Sequence, residues 1–185
     1  MLSFYYLTLI VKTYLQSIMK KNLLLLIVFT LVITITKAQN TWINYKIDSK
    51  LSIKVPNEPK QIDENSVLAS DNDGAAYIIT IADFQKLAGL DSAKIAPMAN
   101  TPDFASSLRT GMLSKMPGYT LGDVKIGNWH GYVCYNVEGG NDASKIKVYT
   151  FMILIASKLY GLSVVVPESL AFTGKDDFFA SVALN

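Results

Sequence analysis

The chain has 185 residues, which is enough for one domain with an attached targeting segment. Half of its residues are hydrophobic, and 17 basic against 15 acidic side chains leave a formal net charge of +2. A single arginine (Arg109) and a single cysteine (Cys134) exclude an arginine-rich phosphate-neutralising surface, an internal disulfide and a cysteine-based zinc cluster.

The hydrophobic excess lies mostly at the N-terminus. Met19-Lys20-Lys21-Asn22 is followed by Leu23 to Ile35 without a charge, and then by Thr36-Lys37-Ala38-Gln39. A basic start, a short apolar run and small residues one and three places before a cut describe a secretory signal peptide. The apolar run falls short of the roughly 20 residues needed to cross a bilayer as a helix. The pattern predicts a signal peptide over residues 19–38, cleavage after Ala38, and an extracytoplasmic (periplasmic or secreted) mature chain. Residues 1–18 read as an upstream misread, with Met19 as the true start. The alternative is a retained anchor, because Phe4, Tyr5, Leu7 and Leu9 to Val11 extend the apolar region, and membrane contact would then run through this segment alone. No cysteine follows the run to carry a lipid. Loss of residues 1–38 removes Lys12, Lys20, Lys21 and Lys37 and no acid, leaving thirteen basic against fifteen acidic residues. That balance argues against a nucleic-acid partner.

Beyond the leader, Trp42 to Ile47 reads as a short strand, and Asp48-Ser49-Lys50 as a turn. Leu51-Ser52-Ile53-Lys54-Val55 alternates as a strand with one buried face, ended by Pro56 and Pro59. Ser66 to Ser70 and Ala75 to Ile81 form a predicted hairpin around Asp71-Asn72-Asp73-Gly74. That acidic cluster lacks the twelve-residue spacing of an EF-type calcium loop and reads as a solvated turn.

Residues 83–101 carry little signal beyond a short helix from Asp91 to Met98, cut by Pro97. Thr101-Pro102-Asp103 opens a clear helix, with Thr101 as cap and proline at its first position. Phe104, Ala105, Leu108, Met112, Leu113 and Met116 form its core-facing stripe, and Pro117-Gly118 stops it. Tyr119 to Ile126 and Trp129 to Glu138 are predicted strands joined at Gly127-Asn128. Gly139 to Asp142 then turns the chain into Lys145 to Ala156. There apolar residues on both faces mark a central strand covered on both sides. A last strand, Leu159 to Val166, ends at Pro167. A closing helix, Lys175 to Val182, turns Phe178, Phe179 and Val182 inward. Hairpin-length links require antiparallel pairing, so the predicted class is α+β, an antiparallel sheet covered by helices, in one domain over residues 39–185.

The ordered set Leu51-Ser52-Ile53-Lys54-Val55-Pro56, Gly74 to Thr80, the mid-chain helix, the Gly127-Asn128 hairpin and Phe178 to Leu184 resembles the Mog1/PsbP-like superfamily, in the form found in exported bacterial proteins. The resemblance spans nearly all of residues 42–184. It implies an α/β/α sandwich and a binding or assembly module, and it brings no catalytic motif and no site residue to carry over.

The residues themselves offer little chemistry. His130 is the one histidine, so a nucleophile–histidine system must use it and paired-histidine metal sites are excluded. Four strand residues, about 13 Å, separate it from Cys134, which reads as a small buried apolar residue. Ser163 is a distant candidate nucleophile. Asp176-Asp177 suit a helix N-terminus. Trp42, Tyr45, Trp129, Tyr132, Tyr135, Tyr149 and Tyr160 read as core packing, with some available to line a groove. No catalytic, cofactor-binding or metal-binding residue is assigned, and no cofactor is implied. The expected function is an exported, non-enzymatic binding or assembly module for a protein or small ligand. A hydrolase with a dispersed acidic or serine site is the alternative.

Overall fold

In the computed structural model, residues 42–170 and 174–185 are described. The expected signal peptide (19–38), the misread stretch (1–18) and the cut after Ala38 lie outside the described residues. Thr41–Asn185 groups as one unit by its internal contacts.

The described residues begin with two antiparallel strands, β1 (Ile43–Lys46) and β2 (Leu51–Val55), linked by the Asp48 turn. The strands β3 (Lys60–Asp63), β4 (Ser66–Ser70) and β5 (Ala76–Asp83) then form a meander. Next come helices α1 (Phe84–Ala88), α2 (Ser92–Ala99) and α3 (Pro102–Lys115). They are followed by β6 (Thr120–Leu121), β7 (Lys125–Trp129), β8 (Tyr132–Asn141), β9 (Ile146–Ile155) and β10 (Lys158–Pro167). The chain closes with α4 (Gly174–Ala180) and β11 (Ala183–Leu184). Among the described residues the strands form an eight-stranded sheet in the order β3-β4-β5-β10-β9-β8-β6, with β7 also on β8. A three-stranded sheet has the order β1-β2-β11. Every pairing is antiparallel. The fold class is α+β, as the pattern predicts.

Side-chain alternation divides the large sheet into two packed faces. One face presents Tyr77, Ile79, Phe151, Ile153, Tyr160, Leu162 and Val164 to Leu51, Ile53 and Val55 of the small sheet and to Phe178 of α4. The other presents Tyr135, Val137, Val148, Met152, Leu154 and Leu159 to Ile95 and Ala99 of α2 and Ala105 of α3. Strand β9 therefore has a buried residue at every position from Thr150 to Ile155, as its doubly apolar sequence requires. The stripe Phe104, Leu108, Met112, Leu113 and Met116 packs on the helical side. Arg109 reaches from α3 to donate through Nε and Nη2 to the Leu121 carbonyl at 3.0 and 2.6 Å, and through Nε to that of Gly122. The lone guanidinium thus ties the helix to the sheet edge. Among the described residues no helix is long and apolar enough to cross a membrane.

Several local expectations are corrected. The β7–β8 hairpin turns at His130-Gly131, not at Gly127-Asn128. Both turn residues have positive φ, 50° and 87°, as a two-residue loop matched to strand twist requires. Gly127 lies within β7 opposite Cys134, and the Asn128 side chain caps the turn by accepting from Gly131 N at 3.0 Å. Gly139, Gly140 and Asn141 continue β8 instead of turning it. The stretch expected as one strand, Tyr119 to Ile126, is broken into β6 and β7. Register on β8 slips by one residue between Leu121↔Gly139 and Lys125↔Asn136, a bulge stitched by Gly122 N donating to Glu138 O at 2.8 Å. Helix α2 runs through Pro97 to Ala99, because burial of Ile95 and Ala99 compensates the one lost backbone bond. The closing helix ends at Ala180, and Ala183–Leu184 joins the small sheet beside β2. Strand β3 and helix α1 are unanticipated.

Candidate functional site

His130 and Cys134 are not brought together. His130 is exposed in the β7–β8 turn, its ring 4.5 Å edge-on from Trp129. Cys134 is buried, and burial raises its thiol above the ordinary value, so it behaves as a small core residue. Ser163 shares a hydrogen bond of 2.9 Å with Thr150 on the neighbouring strand, which gives its hydroxyl a structural partner in the sheet. The Asp71 carboxylate closes its own turn, accepting from Asp73 N at 3.0 Å, Ala75 N at 2.9 Å and the Tyr77 hydroxyl at 2.9 Å. Asp176 and Asp177 lie in the first turn of α4, where the helix dipole favours them.

The expected aromatic residues divide between core and rim. Tyr135 is fully buried and donates to Ala99 O at 2.6 Å, pinning α2 to the sheet. Burial pushes its phenol up to about 12. Tyr160 is also fully buried and donates to Asp48 Oδ2 at 2.7 Å. Trp42 packs edge-on against Tyr77 with ring centres 5.3 Å apart. Tyr149 lies under the Lys175 ammonium, 4.8 Å from its ring centre. Tyr149 also lines a groove over Gly139 and Gly140, and Tyr45 lines a separate cleft.

That cleft, about 280 Å³, opens where β1 lies over the β3–β4–β5 end of the large sheet. Its apolar surface comes from Tyr45 and Ile47 on one wall and from Val67, Ile79 and Ile81 on the floor. Asp83, Lys158, Lys86 and Glu64 stand at its charged end. The layers meet through Asp48, which accepts from Lys50 N at 2.7 Å and Leu51 N at 3.2 Å within its own turn. It also accepts from Tyr160 at 2.7 Å and from the Lys158 ammonium at 3.4 Å, both across the layer. Burial works to raise the Asp48 carboxyl, and these hydrogen bonds together outweigh it and hold it below the ordinary carboxylate value.

Asp83 is likewise engaged. It caps α1 by accepting from Gln85 N and Lys86 N at 3.1 and 3.4 Å, with the Ser157 hydroxyl at 3.5 Å. The fold's own bonds thus engage Asp83 and Lys158, while Glu64 and Lys86 line the cleft beside them. A broader groove of about 490 Å³ lies over Gly122, Gly139 and Gly140 beside Glu138, Lys147 and Glu168. Apart from Tyr45, sequence reasoning flagged no residue of the cleft as a site. They come from β1, β3, the β3–β4 turn, β4, β5, α1 and β10, and no local spacing links them.

A large antiparallel sheet with helices on one face and a small N-terminal sheet on the other is the PsbP-like fold. Among solved structures, cyanobacterial PsbP (CyanoP) from Synechocystis sp. PCC 6803 superimposes with a TM-score of 0.60 at 15% identity, over 81% of this chain and 96% of that one. A protein from Bacteroides thetaiotaomicron VPI-5482 gives 0.45 at 11% identity over 73% of this chain, which spans 45% of that longer chain. No family model matches the chain, and no curated protein matches it in sequence.

Proposed function

We propose that this chain is an exported, non-enzymatic binding or assembly module, extracytoplasmic after cleavage following Ala38, whose β1–β5 cleft receives a protein or small ligand. The observation that carries the reading is the chemistry of the cleft. Half-buried Tyr45, Ile47 and Ile81 give it apolar surface above the buried Val67 and Ile79. Gln61, Glu64, Asn65, Asp83, Lys86 and Lys158 line it with polar groups, of which Asp83 and Lys158 are engaged by α1 and Asp48. Apolar side chains beside convergent polar groups are suited to binding. A catalytic acid or base needs a group free to exchange its proton with substrate. The likeness in fold to PsbP and the leader sequence are consistent with this role.

The test uses protein produced from the full-length chain and recovered from the cell envelope. N-terminal sequencing should read from Gln39, and an uncut N-terminus would refute the export step. Affinity capture from envelope extract, followed by mass spectrometry, should give a species retained by the unmodified protein and lost with Ile81→Lys. Retention of the same species by a folded Ile81→Lys variant would refute the cleft as the binding site.

A further inference from the structure

The cleft has an edge strand along one wall. Among the described residues, strand β1 is the edge of the small sheet and pairs with β2 alone. Ile47 N donates to Leu51 O at 2.9 Å, which makes that pair a hydrogen-bonded one. By antiparallel alternation Tyr45↔Ile53 is bonded too, whereas Asn44↔Lys54 and Lys46↔Ser52 are not. The backbone N–H and C=O groups of Asn44 and Lys46 therefore point away from β2, toward the open edge. No cleft residue comes from β2 or β11, so the cleft opens on that same edge. The inward side chains of Tyr45 on β1 and of Ile47 just beyond it line the cleft with Ile81. Its outward ones, Asn44 and Lys46, are exposed. Lys46 has no ion pair among the described residues, and Lys54 lies on the same outer face of the neighbouring strand.

We infer that the free edge of β1 takes up an extended segment of a partner protein by strand addition. Apolar residues of that segment alternate toward Tyr45, Ile47 and Ile81, and acidic residues face Lys46, with Lys54 one strand further on the same outer face. Each geometric element has a role. The outward backbone groups supply ladder hydrogen bonds that any extended chain can satisfy. The period of two sends alternate side chains to the floor and to the outer face. An acidic side chain directly across from Lys46 gains a favourable cross-strand pair. Strand addition explains how a cleft this small serves a polymer, since it need hold only the inward side chains. This inference rests on the cleft being the binding site.

The test pans a phage-displayed random decapeptide library on the full-chain product and measures the enriched sequences as fluorescein-labelled synthetic peptides by anisotropy. The expected peptides alternate apolar and acidic residues. Lys46→Pro removes an N–H that β2 does not use, so the variant keeps its fold while the edge is blocked, and peptide affinity should fall about tenfold or more. Lys46→Glu should weaken the same peptides, and substituting lysine for the facing acidic residue in the peptide should restore binding. Peptides that still bind Lys46→Pro but are lost with Ile81→Thr would overturn strand addition and leave the cleft as a binding site. Binding indifferent to both positions would overturn the inference and the cleft together. Failure to enrich alternating sequences would also overturn the inference. A concentration-dependent dimer of the protein, abolished by Lys46→Pro, would replace the partner segment with a second copy of this chain.

Discussion

Asp48 joins the small sheet to the large one, and removing its carboxylate isolates the energy of that junction. In Asp48→Ala the Tyr160 hydroxyl, fully buried, loses the acceptor it meets at 2.7 Å. An unsatisfied buried hydroxyl costs about 1–3 kcal/mol. The two turn hydrogen bonds to Lys50 N and Leu51 N add about 0.5 kcal/mol each, since water replaces them in part. The Lys158 ammonium is 42% exposed, so its ion pair adds little. The sum is about 3 kcal/mol, which for a domain of this size lowers Tm by about 9 °C.

Calorimetry of Asp48→Ala, Tyr160→Phe and the double variant separates this account from a loss confined to the turn. The phenylalanine removes the stranded hydroxyl, so the double variant should be less destabilised than the summed single variants by about 1–2 kcal/mol. Additivity within about 0.5 kcal/mol would refute the coupling between layers. The pH dependence gives a second reading of the same bond. The folded Asp48 carboxyl titrates below its unfolded value, about 3.9. Its stabilisation is therefore fully present above that pH and lost as the pH falls through the folded pKa. The stability difference between the unmodified protein and Asp48→Asn should be constant above about pH 5 and shrink below about pH 4. A difference that grew in acid would contradict the assigned sign.

Three substitutions test the corrected strand registers and turn. An alanine Cβ at Gly139 would overlap the Thr120 carbonyl oxygen and stand 2.7 Å from Leu121 Cδ2. Gly139→Ala should cost about 3 kcal/mol in denaturant melts, against less than about 1 kcal/mol for Gly127→Ala, whose Cβ meets only the adaptable Cys134 Sγ at 3.1 Å. Equal costs would place the crossing of β6 over β8 elsewhere. His130→Asn should stabilise the protein by about 0.5 kcal/mol, because asparagine tolerates the positive φ of the first turn position better than histidine does. Destabilisation there would refute the His130-Gly131 turn.

The parts of the fold legible in the sequence are those where one residue's neighbours in the chain are also its neighbours in space. Thr101-Pro102 capped its helix as expected, with Thr101 Oγ1 accepting from Phe104 N at 3.3 Å. The Lys145 to Ala156 run proved central because both its alternating sets are apolar. Glycines misled, since Gly127 and Gly139-Gly140 carry the composition of a turn. A Cβ would run into Thr120 of β6 at Gly139 and into the Ile146 backbone of β9 at Gly140, partners that only strand pairing brings close. Lys60–Asp63 was missed because all four of its residues are exposed. An edge strand without a buried face leaves no period to read.

The cleft was illegible for a related reason. Ile79 and Ile81 display the ordinary alternation of a half-buried strand, and Tyr45 that of a short one. Neither pattern reveals that the β1–β2 hairpin folds over β10 and stops short of covering β4. Asp48, through its bonds to Tyr160 and Lys158, anchors the hairpin at the start of β10, and among the described residues the outer edge of β1 has no strand neighbour. The proposed site is a backbone edge beside half-buried apolar side chains. Recognition by such a surface depends on extension and alternation more than on any fixed set of side chains. A site of this kind needs no histidine, cysteine or paired acid at a particular spacing, which is why a search of the sequence for reactive groups passes over it.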